Sequence, residues 1–364
     1  MTRDLRINHL HDLKTMAGGV EINFSFANMM FLLRPEELPF DRESIVLHAF
    51  PGDARIGSRH LLETLSRREG VPPENIFLSL GASMANFVVW SSSLEPGDEV
   101  LIEFPVYEPM YKVPQTLGMQ VRFWERDPAD FSISREAIEA KLTERTKMIV
   151  LSDSHNPSGS QISQDALLYL RELCRERGIL VLVDEVYGRY YRRESLFVRC
   201  PEFIVTSSLS KYYGLGSLRI GWAFAPAEVV ERARNYMDLI TPEIPITPLY
   251  LAHQLLDHPV METLEERITA RVRENRELVI DFLGQTDHLT SYIPKNGVLF
   301  FPQVKPEIDI RKFYQVLREK YRMAVTEGFY FQTPDHFRMS AIYDRQTLES
   351  GLGRIESALR DARR

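Results

Sequence analysis

Phe203-Ile204-Val205-Thr206-Ser207-Ser208-Leu209-Ser210-Lys211-Tyr212-Tyr213-Gly214-Leu215-Gly216-Ser217-Leu218-Arg219 begins as an apolar strand and ends in a loop carrying hydroxyls and two cations. A lysine just past a buried strand is costly as an ammonium, whereas a desolvated amine is what a Schiff base to an aldehyde requires. Ser208, Ser210 and the guanidinium of Arg219 supply donors suited to a phosphate dianion. The stretch therefore asks for a ligand bearing both an aldehyde and a phosphate, and for a fold that gathers strand ends at one edge.

Outward from this stretch, residues 57–260 alternate helical periodicity with short apolar runs, the pattern of a sheet covered by helices. Strands are expected at 76–80, 99–104, 120–125, 147–152, 179–184, 203–207 and 220–225. Several are almost continuously apolar, as in strands buried on both faces, so the sheet of seven is expected to be mostly parallel. Helices are expected at 57–68, 82–94, 163–177 and 227–237, with Gly70 and Gly178 placed to stop two of them. A long charged helix over 259–283 leads into a second unit with strands at 289–293, 298–302, 323–327 and 336–341 and helices at 309–320 and 345–361. The fold class is α/β with a smaller α+β domain: 46–260 forms the large domain, and 1–45 joins 261–364 in the small one.

Asp184 closes the run Ile179-Leu180-Val181-Leu182-Val183, at the carboxyl edge where open α/β sheets bind ligands. There a carboxylate can hold a pyridine nitrogen protonated and make the ring a better electron sink; alone, it reads equally as a capping carboxylate beside Glu185. Tyr187 follows three residues on, a phenol able to reach a ring O3′ and otherwise a structural tyrosine. Ser154-His155-Asn156-Pro157-Ser158-Gly159 follows another strand end; a turn explains Pro157 and Gly159, and Asn156 is free to donate to the same O3′. Gly81-Ala82-Ser83 opens a helix after a strand and exposes amides to an anion. Tyr107, at a further strand end, can stack on a flat ring. Phosphate loop, aromatic, Asn-Pro-Ser-Gly turn, Asp with Tyr, then Lys211 and Arg219 all fall at strand ends in this order. The ligand these stations describe is pyridoxal 5′-phosphate.

This order resembles the class I/II aminotransferases, the fold-type I pyridoxal phosphate-dependent transferases, over nearly the whole chain. The resemblance implies Lys211 as Schiff-base lysine and proton shuttle, Asp184 as pyridinium partner, Tyr187 and Asn156 as O3′ donors, and Tyr107 as the stacking residue. It implies Gly81, Ala82, Ser83, Ser208, Ser210 and Arg219 as the phosphate cradle. Arg338, in Phe337-Arg338-Met339-Ser340, matches the strand whose arginine takes the substrate α-carboxylate. A homodimer with the site at its interface is also implied. The chain departs from the family pattern in four places. Phe50 stands where a tyrosine often reaches the neighbouring subunit's phosphate, with Arg55 or Arg59 as substitutes. Ala27 occupies a usual glycine position beside the substrate, Ser217 replaces another glycine, and His155 replaces an asparagine. The His-Asn-Pro form occurs in relatives that are carbon-sulfur β-lyases, so β-elimination and decarboxylation stand as alternatives to amino transfer between an L-amino acid and a 2-oxo acid.

Composition narrows the field. Of the 364 residues 44% are apolar and 26% charged, which argues against disorder, and a formal charge of −7 argues against a general nucleic-acid binder. No membrane span or secretory leader is read, so the cytoplasm is the expected compartment. Cys174 and Cys200 lack metal-ligand spacing, and the nine histidines form no HExxH pair, so no metal is expected. A nicotinamide dehydrogenase, prompted by Gly214-Leu215-Gly216, fails because Arg219 stands where the third glycine belongs. A silent module or regulator that kept the fold is the remaining reading, countered by the intact lysine.

Overall fold

The computed structural model describes residues 5–16, 19–29, 32–40 and 54–364, the side chains of 15, 16 and 54–57 excepted. In chain order its strands are β1 (Ile22–Asn23), β2 (Ile76–Ser79), β3 (Glu99–Phe104), β4 (Gln120–Glu125), β5 (Thr146–Ser152), β6 (Leu180–Asp184) and β7 (Ile204–Ser208). They continue with β8 (Gly221–Phe224), β9 (Leu289–Thr290), β10 (Leu299–Phe300), β11 (Gln303–Val304), β12 (Met323–Ala324), β13 (Thr326–Glu327) and β14 (Phe337–Ser340). Seven of them form one sheet in the order β2-β8-β7-β6-β5-β3-β4. All its pairings are parallel except those of β8, which runs antiparallel to β2 and β7.

The continuous apolar runs follow from burial on both faces. Along β5, Met148 and Val150 enter one apolar layer and Ile149 and Leu151 the other, the period-two alternation of a strand. In β6, Val181 and Val183 face the second layer and Leu182 the first. The first layer is closed by helices Ala82–Ser93 and Ala227–Asp238, through Val88, Val89, Val229 and Ala233. The second is closed by Ala54–Glu69, Gln164–Arg177 and Ile246–Asp257, through Leu61, Leu65, Leu170, Leu249 and Leu255.

Helix Val260–Gln285 places Met261, Leu264, Ile268 and Val272 in this large core, then Val279 and Leu283 in a second core built around Phe300, Phe313, Phe337 and Ile355. In that second part β14 lies between β10 and β13, and β1 pairs in parallel with β12, joining the amino-terminal segment to the carboxyl-terminal part.

The expected strands and helices of the large sheet are found within a few residues of their expected bounds. One expected strand needs correction, and several helices were not foreseen. Residues 323–327 form two strands, because β12 turns to β1 while β13 turns to β14. Helix Glu108–Thr116 lay hidden behind Pro109 and Pro114; Pro109 is harmless in a first turn, where its missing N–H has no intrahelical acceptor. Helices Asn8–Met16 and Ile246–Asp257 were also not foreseen: the first mixes polar and apolar residues, and the second follows Pro245 and carries Pro248 in its first turn.

Candidate active site

Where β6, β7 and the loop after β5 end together, a cavity of about 260 Å³ opens between the large sheet and the second core. Lys211, Asp184, Tyr187, Tyr107, Asn156, Ser208, Ser210, Ala82, Ser83, Arg219, Arg338 and Ala27 all line it. The sequence order therefore becomes one spatial cluster, although its members span more than three hundred positions of the chain.

Asp184 is fixed by two donors: its Oδ2 accepts from Asn86 Nδ2 at 3.1 Å and its Oδ1 from the Val186 amide at 3.1 Å. Thr206 Oγ1 donates to Asn86 Oδ1 at 2.7 Å, which sets the amide so that its NH2 faces the carboxylate. Burial pushes the Asp184 carboxyl above its ordinary range, against those hydrogen bonds and the Lys211 charge. A carboxylate desolvated in this way gains most from a cation placed against it. Asn86 was missed from the sequence; an asparagine within the apolar turn Ala85-Asn86-Phe87-Val88-Val89 was the available signal.

Lys211 stands half-buried three residues beyond β7, at the cavity wall rather than enclosed by the sheet. The amine is thus only partly withdrawn from solvent, where a desolvated amine was expected. Its Nζ donates to Asn28 Oδ1 at 2.7 Å and lies 5.7 Å from the centre of the Tyr187 ring. The lysine backbone is anchored from two sides, since its carbonyl accepts from Met29 N at 2.9 Å and Tyr190 Oη at 2.8 Å. Asn28 is a second residue that the sequence did not single out.

The expected phosphate loop depends on close approach. Gly81, with φ +86°, leads into helix Ala82–Ser93, whose first amides lack intrahelical acceptors. A Cβ on Gly81 would stand 2.6 Å from Arg219 Nη2, so glycine is what lets the guanidinium lie over the loop. A Cβ on Gly221 of β8 would fall 2.4 Å from Gly81 C and 2.5 Å from Ala82 N. Arg219 takes left-handed backbone (φ +53°), and its Nη2 donates to Leu80 O at 3.3 Å. Gly214-Leu215-Gly216 leads into a single 3-10 turn, Gly216–Leu218, and opens no α-helix, which removes the dinucleotide-binding reading.

Across the cavity, Arg338 is 3% exposed and faces no described carboxylate. Its Nη1 donates to Asn156 Oδ1 at 2.9 Å, and its Nη2 to Ser25 O and Thr326 Oγ1, each at 3.1 Å; its buried Nε has no partner among the described residues. An unpaired buried guanidinium is a site for an anion. Because arginine only donates, Asn156 must turn its oxygen toward Arg338, which leaves its NH2 for the cavity. The Asn156 backbone is held by Ser152 Oγ at 3.0 Å, and that hydroxyl donates to buried Glu103 at 2.6 Å.

His155 points away from the cavity. It is fully buried between Ser158 Oγ at 2.7 Å and Pro105 O at 2.8 Å, and burial together with the Arg126 charge holds its imidazole well below the ordinary range. Tyr107 lies at the cavity wall, where burial and the neighbouring Tyr187 raise its phenol. Arg59 pairs with Glu63 at 3.0 Å and is 79% exposed. Phe50 and the Arg55 side chain lie outside the described residues. Among the described residues no group of three or more His, Cys, Asp or Glu could hold a metal, and no helix is long and apolar enough to cross a membrane.

At its sheet ends this α/β fold gathers an amine, a desolvated carboxylate, the amides of a helix start and an arginine with no described counter-ion, chemistry suited to a phosphorylated aldehyde and an amino acid. The sequence model for aminotransferase class I and II matches residues 56–355, and the chain belongs to that family, whose enzymes use pyridoxal 5′-phosphate. It is 26% identical over 309 residues to a probable aspartate/prephenate aminotransferase of Aquifex aeolicus, covering 79% of this chain and 77% of that one. It is 27% identical to the arginine–pyruvate transaminase of Pseudomonas aeruginosa over 319 residues, 83% of this chain and 78% of that one. A PLP-dependent aminotransferase from Streptococcus suis shares its fold, with a TM-score of 0.90 over 100% of both chains at 23% identity.

Proposed function

We propose that this aminotransferase attaches its cofactor to Lys211 and works through the residues assembled around the cavity. Unmatched charge carries the reading: a desolvated Asp184, an anion loop under Arg219 and an unpaired Arg338 around one amine call for a ring cation, a phosphate and a carboxylate. These residues fit pyridoxal 5′-phosphate. Once bound, the cofactor supplies an electron sink for the bond broken at the substrate α-carbon. Asp184, braced by Asn86, holds the ring nitrogen protonated. Tyr187 Oη and the NH2 of Asn156 donate to O3′, and Tyr107 covers one ring face. Gly81, Ala82, Ser83, Ser208, Ser210 and Arg219 hold the phosphate.

Arg338 takes the substrate α-carboxylate and turns the α-proton toward Lys211. With its amine freed by the incoming substrate amine, Lys211 Nζ would take the proton from the α-carbon and carry it through the transfer, and Asn28 Oδ1 accepts a hydrogen bond from that free amine. Ala27 packs against the substrate; water would supply the oxygen of the departing 2-oxo acid, and the amino group would stay with the cofactor as pyridoxamine phosphate. A second oxo acid then runs the sequence in reverse.

The same reading takes 46–260 as the large domain, and 1–45 with 261–364 as the small one. It takes the working form as a homodimer and the cytoplasm as the compartment, to which two free cysteines, Cys174 and Cys200, are suited. The test mixes holoenzyme with single L-amino acids and follows conversion of the cofactor to pyridoxamine phosphate. Stoichiometric conversion, reversed by a 2-oxo acid, is the expected result. Release of pyruvate and ammonia without an acceptor would replace this reading with β-elimination.

A further inference from the structure

His9 is 3% exposed on the wall of the cavity, and neither of its ring nitrogens has a hydrogen-bond partner among the described residues. Leaving both nitrogens buried and unpaired costs folding free energy, so their placement calls for a reason.

The ring is held firmly. Helix Asn8–Met16 begins on the carboxylate of Glu108, which accepts from Asn8 N at 3.0 Å, Asn8 Nδ2 at 3.1 Å and His9 N at 2.7 Å. Glu108 follows Tyr107 directly, so one anchor sets the histidine against the tyrosine, with ring centres 5.5 Å apart and planes at 88°. The imidazole also lies 5.0 Å from Tyr330, whose hydroxyl donates to Asp12 Oδ2 of the same helix at 2.5 Å. Two neighbouring rings and a pinned backbone make a group preorganised to read a ligand.

The proton state decides what it can read. Burial and the positive charges of Arg338 and Lys211 hold the imidazole down at about 3, so at neutral pH it is uncharged and offers one donor and one acceptor. The cations lining this cavity are Lys211, Arg219 and Arg338, and the proposed function engages all three with aldehyde, phosphate and α-carboxylate. Among the described residues no lining cation remains for a second carboxylate. Leu10, Leu13 and Met110 make the neighbouring wall apolar.

We propose that His9 is a specificity-determining residue that hydrogen-bonds the uncharged polar end, a hydroxyl or an amide, of the amino-acid substrate's side chain. This rests on the aminotransferase reading above. A site built to pair a substrate's polar group discriminates against the analogue that lacks it, because its own group is then left unpaired.

The experiment compares two near-isosteric pairs, tyrosine with phenylalanine and glutamine with methionine, in the amino-donor half-reaction of the holoenzyme, with glutamate alongside. The dissociation constants of the α-methyl analogues of tyrosine and phenylalanine are measured by calorimetry; they lack the α-proton and report binding apart from turnover. For at least one pair the parent should favour the polar member roughly ten-fold in half-reaction rate, the order of one neutral hydrogen bond. His9→Phe should bring that ratio to about one, and His9→Gln, which keeps a donor and an acceptor, should retain most of it. Where tyrosine is the favoured member, the ratio of dissociation constants should follow the same course. Melting temperature and cofactor absorbance verify that each variant is folded and loaded. A ratio that persists in His9→Phe, or no discrimination within either pair in the parent, overturns the proposal. So does a preference for glutamate that His9→Phe abolishes, which would make His9 a carboxylate receptor. If no amino acid converts the cofactor at all, the aminotransferase reading fails first and this one with it.

Discussion

Arg338 is a guanidinium enclosed by Phe331, Asn156 and Thr326 with no counter-ion among the described residues, and such a group is tolerated where a ligand brings the missing charge. Arg338→Met should raise KM for the amino donor roughly 100-fold, the order expected for losing a charge-assisted pair of about 3 kcal/mol, and should leave cofactor absorbance in place. An unchanged KM would show that the α-carboxylate binds elsewhere. His9 gives a pH signature of folding stability. Its imidazole is neutral in the folded chain down to about 3 and ordinary, near 6.5, when unfolded. The unfolded state therefore binds the extra proton, and the contribution of His9, present above 6.5, is lost as pH falls from 6.5 toward 3. Between pH 7 and pH 5, His9→Phe should lose less stability than the parent by about 2 kcal/mol, measured by urea unfolding at each pH. Equal losses would place the imidazole in water. Lys211, Asp184, Arg219 and Arg338, which line the cavity, were legible as candidates because each is a charged group at a strand end or in a motif of fixed spacing. His9, Asn28 and Asn86 were not, because the first two lie in a helix and a segment far along the chain that only the tertiary fold brings to the cavity, and the third acts through Asp184 from within an apolar helix.

Among the elements, the junction of β8 with the Gly81 loop is the tightest. At position 221 any side chain would strike the backbone of Gly81 and Ala82, so β8 can lie against the first turn of helix Ala82–Ser93 only with a glycine there. Gly221→Ala should cost about 1 to 3 kcal/mol of stability, the usual cost of overpacking, and should weaken cofactor binding by moving the anion loop. Thermal unfolding with and without the cofactor measures both effects, and a variant matching the parent in each would contradict the geometry. The strands were readable because double-sided burial writes continuous apolar runs, as in Ile149-Val150-Leu151 and Val181-Leu182-Val183. Helix Glu108–Thr116 was not, since prolines that usually end helices sit here in a first turn and near the carboxyl end. The split of 323–327 into two strands was equally hidden, because which partner each half meets is a long-range property of the fold.

At the scale of the whole molecule, the cavity lies between two cores joined by helix Val260–Gln285, whose apolar residues enter both. The amino-terminal segment crosses this boundary: Phe24 packs in the second core, Ala27 and Met29 in the first, and Asn28 meets Lys211. Truncation to residue 29 should therefore abolish turnover while leaving the seven-stranded sheet intact, which activity and far-ultraviolet circular dichroism report; retained turnover would remove His9 and Asn28 from the site. A homodimer predicts twice the chain mass by sedimentation equilibrium at micromolar concentration, and a fully active monomer would contradict it. The central claim is that the cofactor is carried on Lys211. Borohydride reduction of the holoenzyme followed by peptide mass mapping tests it most directly: the account predicts a phosphopyridoxyl group on the Lys211 peptide and none in Lys211→Ala, whereas a label on another lysine, or an undiminished absorbance band in Lys211→Ala, would contradict it.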